Sequence, residues 1–155
     1  MTENSEIMEK VLVVDDEEDF LNLMLLHLRK KGYQATGATD PHEALYILER
    51  QAGEFAVIVS DWLMPKMSGN SLIRSAKQID PMMEAIMITS VYAMGSVAKL
   101  GFGAFEYLDK PLKSMNELSE TVKRAIVFRE KRIQRINAKK DGISSRDKSD
   151  FEIFY

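Results

Sequence analysis

The sequence contains no cysteine among its 155 residues, which excludes disulfide bonds, thiolate metal ligands and a cysteine nucleophile. Proline and glycine are scarce, with four and eight residues, so neither a collagen-like repeat nor a Gly/Pro-rich low-complexity chain is expected. No apolar run approaches the roughly 20 residues that a membrane-spanning helix needs, and the acidic N-terminus does not resemble a secretory signal. These absences lead us to expect a cytoplasmic protein without membrane contact.

The composition is that of a globular protein, with 45% hydrophobic and 29% charged residues. The length suits one domain with an appendage. The charge is divided unevenly, because residues 1–122 hold 11 Lys/Arg against 19 Asp/Glu, whereas residues 123–155 hold 10 against 5. A basic surface for nucleic acid is therefore not expected on the main body, and we predict no direct nucleic acid binding by this chain.

Short apolar runs alternate with stretches of helical periodicity along the chain. Strands are predicted at residues 11–14, 33–38, 55–59, 85–88 and 105–108. Helices are predicted at residues 20–28, from Pro41 behind the N-cap Asp40, at 71–79, at 96–100 and from about 115 to 138, with a loop from 139. This alternation predicts an α/β fold, namely a doubly wound, flavodoxin-like, five-stranded parallel sheet with helices on both faces and an extended C-terminal helix.

Polar side chains follow four of the five predicted strands. Asp15 and Asp16 follow the first, Asp61 the third, Thr89 the fourth and Lys110 the fifth. The carboxyl ends of parallel strands share one edge, where three carboxylates would repel by about 1–4 kcal/mol per pair. A cation is therefore expected, and hard oxygen ligands at a shallow site favour Mg²⁺. An Asp carboxylate can act as a nucleophile, and a lysine and a hydroxyl suit phosphoryl oxygens.

Four segments resemble, in order, the signature segments of two-component response-regulator receiver domains of the chemotaxis-regulator-like family. They read VLVVDDE at residues 11–17, VSDWLMP at 59–65 followed by Ser68 and Gly69, ITS at 88–90, and GAFEYLDKP at 103–111. The four segments in order are far more specific than any one of them. The resemblance covers about residues 9–128, and it divides the chain into a tail (1–8), a receiver domain (9–128) and a C-terminal helical extension and tail (129–155).

The resemblance implies that Asp61 accepts a phosphoryl group from a histidine kinase or a histidine phosphotransfer protein. It also implies that Asp15, Asp16 and Asp61, with the backbone carbonyl of Leu63, bind Mg²⁺. A protein of this family is a switch rather than an enzyme with a separate substrate, since it catalyses only its own phosphorylation and dephosphorylation.

The resemblance assigns the remaining residues to phosphate binding and switching. Lys110 and Thr89 would contact the phosphoryl group, and Tyr107 would turn inward as Thr89 moves. Such a local charge event biases a two-state element. The output face would consist of the fourth helix, the fifth strand and the fifth helix.

The C-terminal segment leaves several alternatives open. Beyond about residue 128 the predicted helix is exposed, pairs with another chain as a short coiled coil, or leads toward a further domain. A homodimer through this helix or through the output face is one option, and a DNA-binding regulator of which this chain is the receiver is another. We also hypothesise that the apolar end, residues 151–155, docks on its own or a neighbouring receiver.

Two other functional classes use related folds. A haloacid-dehalogenase-like phosphatase needs Asp-x-Asp at its first strand, but Asp15 and Asp16 are adjacent and Asp61 is followed by Trp62 and Leu63. A flavin-binding flavodoxin needs a Ser/Thr/Gly-rich phosphate loop, and the acidic run at residues 15–19 would repel a phosphate. Both classes are therefore less favoured than the receiver.

Overall fold

The computed structural model describes residues 8–90 and 103–143, and this part of the chain contains five strands and four helices. The strands are β1 (Lys10–Val14), β2 (Gln34–Ala38), β3 (Phe55–Asp61), β4 (Glu84–Ser90) and β5 (Glu106–Lys110). The helices are α1 (Glu18–Lys30), α2 (Pro41–Arg50), α3 (Gly69–Ile79) and α4 (Met115–Ile143), which is called the C-terminal helix below. The helix predicted at residues 96–100 lies outside the described residues.

The strands form one parallel sheet in the order β2-β1-β3-β4-β5. This is the flavodoxin-like order, in which the direction of winding reverses between β1 and β3. The crevice at the carboxyl ends of these two neighbouring strands is where such folds bind their ligands. The predicted α/β fold with a five-stranded parallel sheet and a long C-terminal helix is therefore confirmed.

The apolar runs of the central strands are continuous because the sheet is covered on both faces. Val11 and Val13 of β1 belong to a core cluster with α1 and the C-terminal helix. Leu12 and Val14, which point to the opposite side, belong to a second cluster with α2 and α3. These two cores hold the sheet rigidly, so the side chains at its carboxyl edge are presented from fixed positions.

Two helices begin at side-chain caps that the sequence makes recognisable. The Asp40 carboxylate accepts a 2.7 Å hydrogen bond from the His42 backbone, and Pro41 occupies the first helical turn of α2. The Ser68 hydroxyl caps α3 in the same way, accepting a 3.1 Å hydrogen bond from the Ser71 backbone. The predicted start of α2 is confirmed, whereas α3 begins two residues earlier than predicted.

Three predicted strands, β3, β4 and β5, end two residues later than expected, so Thr89 also lies within its strand. Asp61 was predicted just past its strand, but it is the last residue of β3 and pairs with Ile88 of β4. Lys110 is likewise the last residue of β5 and pairs with Ser90. Parallel pairing depends on backbone hydrogen bonds, so it continues after the apolar side chains have ended. All three functional candidates therefore stand on the rigid sheet rather than on loops.

The C-terminal helix continues to Ile143, so the loop predicted from residue 139 is wrong for residues 139–143. Lys139 and Lys140 are good helix formers, and a helix that is largely exposed needs no apolar stripe to continue. Arg132, well along this helix, donates a 2.9 Å hydrogen bond to the Pro81 carbonyl oxygen. None of the described helices combines the length and apolar character that crossing a membrane requires.

Candidate functional site

Three carboxylates meet at the carboxyl ends of β1 and β3. Asp15 and Asp16 follow β1, and Asp61 ends β3, the strand beside it. One oxygen from each carboxylate lies within 4.8 Å of the others. Asp15 and Asp61 are buried while Asp16 is exposed. The site therefore has a buried floor and one side that is open to solvent.

The ammonium group of Lys110 reaches this cluster from β5. Its Nζ atom lies 3.3 Å from Asp15 Oδ2, 3.6 Å from Asp61 Oδ2 and 2.8 Å from Oε1 of the exposed Glu17. Its Nζ also lies over the Phe20 ring, 4.9 Å from the ring centre, where a cation–π interaction is favourable. The structure thus brings together the three aspartates and the lysine that the sequence predicted at this edge, and it adds Glu17 to them.

The electrostatics of the cluster raise the proton affinity of its buried acids. Burial, together with the charge of Asp15, raises the pKa of Asp61 to about 6, although the Lys110 charge opposes this shift. Burial also raises the pKa of Asp15, against the hydrogen bond it accepts from the Glu17 backbone at 2.8 Å. Repulsion between ionised carboxylates is thus only partly relieved by the single ammonium group.

The pKa of Lys110 is set by burial and by its acidic neighbours, which act in opposite directions. Burial alone lowers its pKa, but the hydrogen bond to Glu17 and the charges of Asp15 and Asp61 outweigh this effect. The pKa of Lys110 is therefore above its ordinary value, and the side chain is cationic at neutral pH. An anionic group entering the site would meet a fixed positive charge on its β5 side.

The excess of carboxylate oxygen over positive charge is what a small divalent cation requires. Oxygen ligands from Asp15, Asp16 and Asp61 within one short span are the donor type that Mg²⁺ prefers, usually with waters completing the shell. The residues present therefore fit a magnesium ion. The Leu63 side chain carries no donor atom and is 64% exposed, so the backbone carbonyl is the only ligand that this residue could offer.

The two candidate switch residues lie on neighbouring strands. Thr89 is fully buried near the end of β4, and its hydroxyl donates a long hydrogen bond of 3.5 Å to the Ser90 carbonyl oxygen. Tyr107 pairs with Met87 across β4 and β5. Its hydroxyl is buried, and it has no hydrogen-bond partner in the part of the chain that is described. A buried hydroxyl of this kind is a feature that calls for a functional explanation.

Gly69 is a site residue to which the sequence assigned no role. A Cβ atom at this position would lie 2.2 Å from the carbonyl oxygen of Asp61 and 2.9 Å from Met87 Sδ. The Gly69 backbone donates a 2.9 Å hydrogen bond to the Trp62 carbonyl oxygen. The missing side chain therefore lets the start of α3 approach the end of β3. The sequence offers two signals, the place of Gly69 directly after the N-cap Ser68 and its place in the second signature segment, and neither shows without the fold that a side chain is excluded here.

Comparison with known proteins identifies the family. Residues 11–123 match the family described as response regulator receiver domain. The chain is 34% identical over 116 residues to the alkaline phosphatase synthesis transcriptional regulatory protein PhoP of Bacillus subtilis, covering 74% of this chain and 47% of that protein. It is 34% identical over 115 residues to the sensor kinase CckA of Brucella abortus, covering 73% of this chain and 12% of that protein. The chain thus spans less than half the length of these relatives.

Solved structures agree with the sequence relatives. A response regulator receiver domain protein from Clostridium thermocellum shares 31% identity at a TM-score of 0.73, covering 79% of this chain and 98% of that chain. The response regulator TrrA of Thermotoga maritima, solved in complex with Mg²⁺ and BeF, shares 27% identity at a TM-score of 0.66. The match covers 76% of this chain and 99% of that chain. The chain therefore belongs to the response regulator receiver domain family, the phosphoacceptor switches of two-component signal transduction.

Proposed function

We propose that Asp61 is the residue that accepts the phosphoryl group, and that a histidine kinase or a histidine phosphotransfer protein supplies it. The observation that carries this proposal is the difference among the three carboxylates. The Asp15 side chain is fully buried, and Asp16 lies exposed on the rim. The Asp61 side chain is 9% exposed, and its Oδ2 lies 3.6 Å from Lys110 Nζ. Asp61 thus combines access from solvent with a nearby cation.

The chemistry follows from these positions. A carboxylate oxygen of Asp61 attacks the phosphorus atom and forms an acyl phosphate, while the bond from phosphorus to the donor histidine nitrogen breaks. The nitrogen keeps the electron pair of that bond. At neutral pH a pKa of about 6 leaves Asp61 mostly ionised and more basic than an ordinary aspartate. Lys110, already cationic in the site, donates hydrogen bonds to the transferred oxygens, and Thr89 binds one of them.

The proposed cofactor is Mg²⁺, which receiver domains bind at their acidic pocket. Asp15, Asp16 and Asp61 would hold it together with the backbone carbonyl of Leu63. When bound, the ion supplies positive charge against the carboxylates and the transferring phosphoryl group. This charge would offset the burial and the repulsion from Asp15 that otherwise raise the pKa of Asp61, so metal and phosphoryl binding are expected to support each other.

The proposed output signal runs through Thr89 and Tyr107. The long hydrogen bond from the Thr89 hydroxyl to the Ser90 carbonyl oxygen is easily exchanged for one to a phosphoryl oxygen. The Tyr107 hydroxyl then gains the space and the partner that it lacks among the described residues. These side chains would have two arrangements, and phosphorylation would shift the population from one to the other, which is what a switch requires.

The wider assignments form part of the same proposal. Residues 1–8 are a tail, 9–128 the receiver domain, and 129–155 a helical extension and tail. The protein acts in the cytoplasm and catalyses only its own phosphorylation and dephosphorylation. Its output face serves a partner protein, a second copy of the chain or an output domain. No direct contact with nucleic acid or membrane is part of this function.

Phosphotransfer from a panel of autophosphorylated histidine kinases tests the proposal. We expect the intact chain to take up label from at least one kinase in a reaction that chelation of Mg²⁺ abolishes. Asp61→Asn is expected to remove the label. Asp109→Asn changes an exposed carboxylate close to Lys110 in sequence and is the matched control, which should retain it. Labelling of Asp61→Asn at the rate of the intact chain would contradict the proposal.

A further inference from the structure

A groove of about 440 Å³ lies between the C-terminal helix and the residue that precedes β5. Its apolar floor is formed by Phe105, Val127 and Phe128. The rings of Phe105 and Phe128 are 5.4 Å apart between centroids, at an angle of 49°. Val127 and Phe128 are 42% and 41% exposed. Adjacent exposed apolar side chains that line one groove, unlike scattered single ones, indicate a contact surface.

The rim of this groove is predominantly basic. It includes Lys123, Arg124 and Lys131, with Glu120 as the one acidic group among the described lining residues. Arg124 is held by two hydrogen bonds of 2.5 and 3.2 Å to the Glu106 carboxylate. Across residues 8–90 and 103–143, Lys123 and Lys131 are in no ion pair. The groove therefore suits an extended segment that combines apolar side chains with carboxylates.

The chain contains such a segment at its own end. Residues 150–155 read DFEIFY, in which two carboxylates alternate with apolar side chains and an aromatic pair follows. We propose that this DFEIFY segment docks in the groove of the same chain. Phe151 and Phe154 would cover the exposed faces of Val127 and Phe128. Asp150 and Glu152 would lie near the lysines on the rim. The inference does not depend on phosphorylation of Asp61.

The distances along the chain permit this contact. Lys131 and Val127 precede Ile143, the last helical residue, by 12 and 16 positions, or about 18 and 24 Å of helix at 1.5 Å per residue. The eight residues from Ile143 to Phe151 span up to about 26–29 Å when extended. The segment therefore reaches the groove of its own molecule. A short tether of this kind gives an effective concentration on the order of millimolar, which favours that groove over one on a second copy.

The contact would have a consequence for signalling. The groove includes Phe105, the residue before β5, and Arg124, whose partner Glu106 begins β5. A protein that binds this side of the receiver must first displace the DFEIFY segment. The segment would thus act as a tethered competitor that raises the partner concentration needed for binding.

Paramagnetic relaxation tests the proposal in the full-length chain. Because the sequence lacks cysteine, Ser149→Cys places a single nitroxide label directly before the segment. We expect strong relaxation of the backbone amides of Phe105, Val127 and Phe128. Replacing Phe151 and Phe154 together by Ser is expected to lower the docking equilibrium constant about tenfold, which corresponds to about 1.4 kcal/mol, and so to weaken this relaxation clearly. Leucine at both positions retains the apolar surface and should retain most of the effect.

A charge test uses two matched variants in the same labelled chain. Lys123→Glu with Lys131→Glu reverses the groove rim and should abolish the relaxation. Lys30→Glu with Lys31→Glu makes the same change in net charge on exposed positions at the end of α1 and should leave it intact. Relaxation that the serine or rim variants do not change would overturn the proposal. A sample that mixes nitroxide-labelled, unenriched chains with unlabelled, isotope-enriched chains should show no relaxation of these amides. Relaxation in that mixture would instead assign the segment to the groove of a second copy and overturn the proposal.

Discussion

The Nζ atom of Lys110 lies 2.8 Å from Oε1 of Glu17, closer than it lies to either buried carboxylate of the site. The ammonium group is therefore shared between the exposed rim and the buried floor. It provides the positive charge that a bound metal ion would also provide. Lys110 is expected to compete electrostatically with the metal, although both favour a phosphoryl group.

The first prediction concerns this competition. Lys110→Ala is expected to tighten Mg²⁺ binding about three- to tenfold, because removing one nearby cation is worth on the order of 1 kcal/mol when the effective dielectric is close to that of water, as at a site open to solvent. Titration of the fluorescence of Trp62, beside Asp61, measures the affinity. Lys113→Ala removes an exposed lysine three residues away and should change the affinity little. Weaker Mg²⁺ binding by Lys110→Ala would show that the lysine does not oppose the metal.

The second prediction follows from the pKa of Asp61, about 6. This carboxyl binds its proton more tightly in the folded chain than in the unfolded chain, where its pKa is about 3.9. Its ionisation therefore destabilises the fold above pH 6, and stability returns as the pH falls from about 6 to about 4. Asp61→Asn is expected to raise the free energy of unfolding by about 1–3 kcal/mol at pH 8 without metal. Urea unfolding in EDTA at several pH values measures it.

The control for this measurement is Asp109→Asn, which removes an exposed carboxylate and should shift the free energy of unfolding by less than about 0.5 kcal/mol. The gain from Asp61→Asn should shrink toward pH 4.5, where the carboxyl is protonated in the folded chain. Saturating Mg²⁺ should also remove the advantage of the asparagine. A gain that is the same at pH 8 and pH 4.5 would mean that charge repulsion is not its cause.

The third prediction concerns the close approach of α3 to β3. Gly69→Ala is expected to lower the free energy of unfolding by about 2–4 kcal/mol, because its Cβ would overlap the Asp61 carbonyl oxygen and backbone would have to move. Phosphoryl uptake should fall as well, since the displaced backbone is that of Asp61. Gly142→Ala is the matched control, because a Cβ there meets nothing within 4 Å. This control should be neutral or stabilising by up to about 1 kcal/mol. Equal stability of both variants would contradict the steric argument.

The fourth prediction concerns the other end of the sheet, where the C-terminal helix is held by charge. The buried carboxylate of Glu84 lies 3.1 Å from Arg132 Nη2 and 3.8 Å from Lys77 Nζ. Arg132→Ala is expected to lower the free energy of unfolding by about 2–4 kcal/mol, because Glu84 would keep only the more distant lysine. Urea unfolding measures this loss, and Arg135→Ala, which is exposed, should change stability little.

A double-mutant cycle separates the ion pair from general effects of the substitution. Glu84→Gln in the Arg132→Ala background should recover about 1–2 kcal/mol, because the unpaired buried charge is then gone. Hydrogen exchange of residues 129–143 should rise in Arg132→Ala if this contact fixes the helix to the sheet. Additive effects of the two substitutions would show that Glu84 and Arg132 do not interact.

Much of the fold could be predicted from local patterns in the sequence. Continuous apolar runs such as residues 11–14 indicate strands covered on both faces, and Asp40 with Pro41 indicates a helix start. These signals depend on near neighbours in the chain. The end of the C-terminal helix was predicted too early because its final residues are polar and carry no periodic signal. The predicted helix at residues 96–100 stays a prediction.

The sequence by itself determined which chemical groups stand at the ends of the strands: the aspartates after the first and third, the threonine of the fourth and the lysine of the fifth. It also determined the family, since four ordered segments are specific. Only the tertiary structure decided that Lys110 is shared with Glu17, that Gly69 must lack a side chain beside Asp61, and that Glu84 holds Arg132. The physical reason is that these contacts join residues brought together by sheet order and helix packing. Their energies depend on distance and burial, which a local pattern in the chain does not encode.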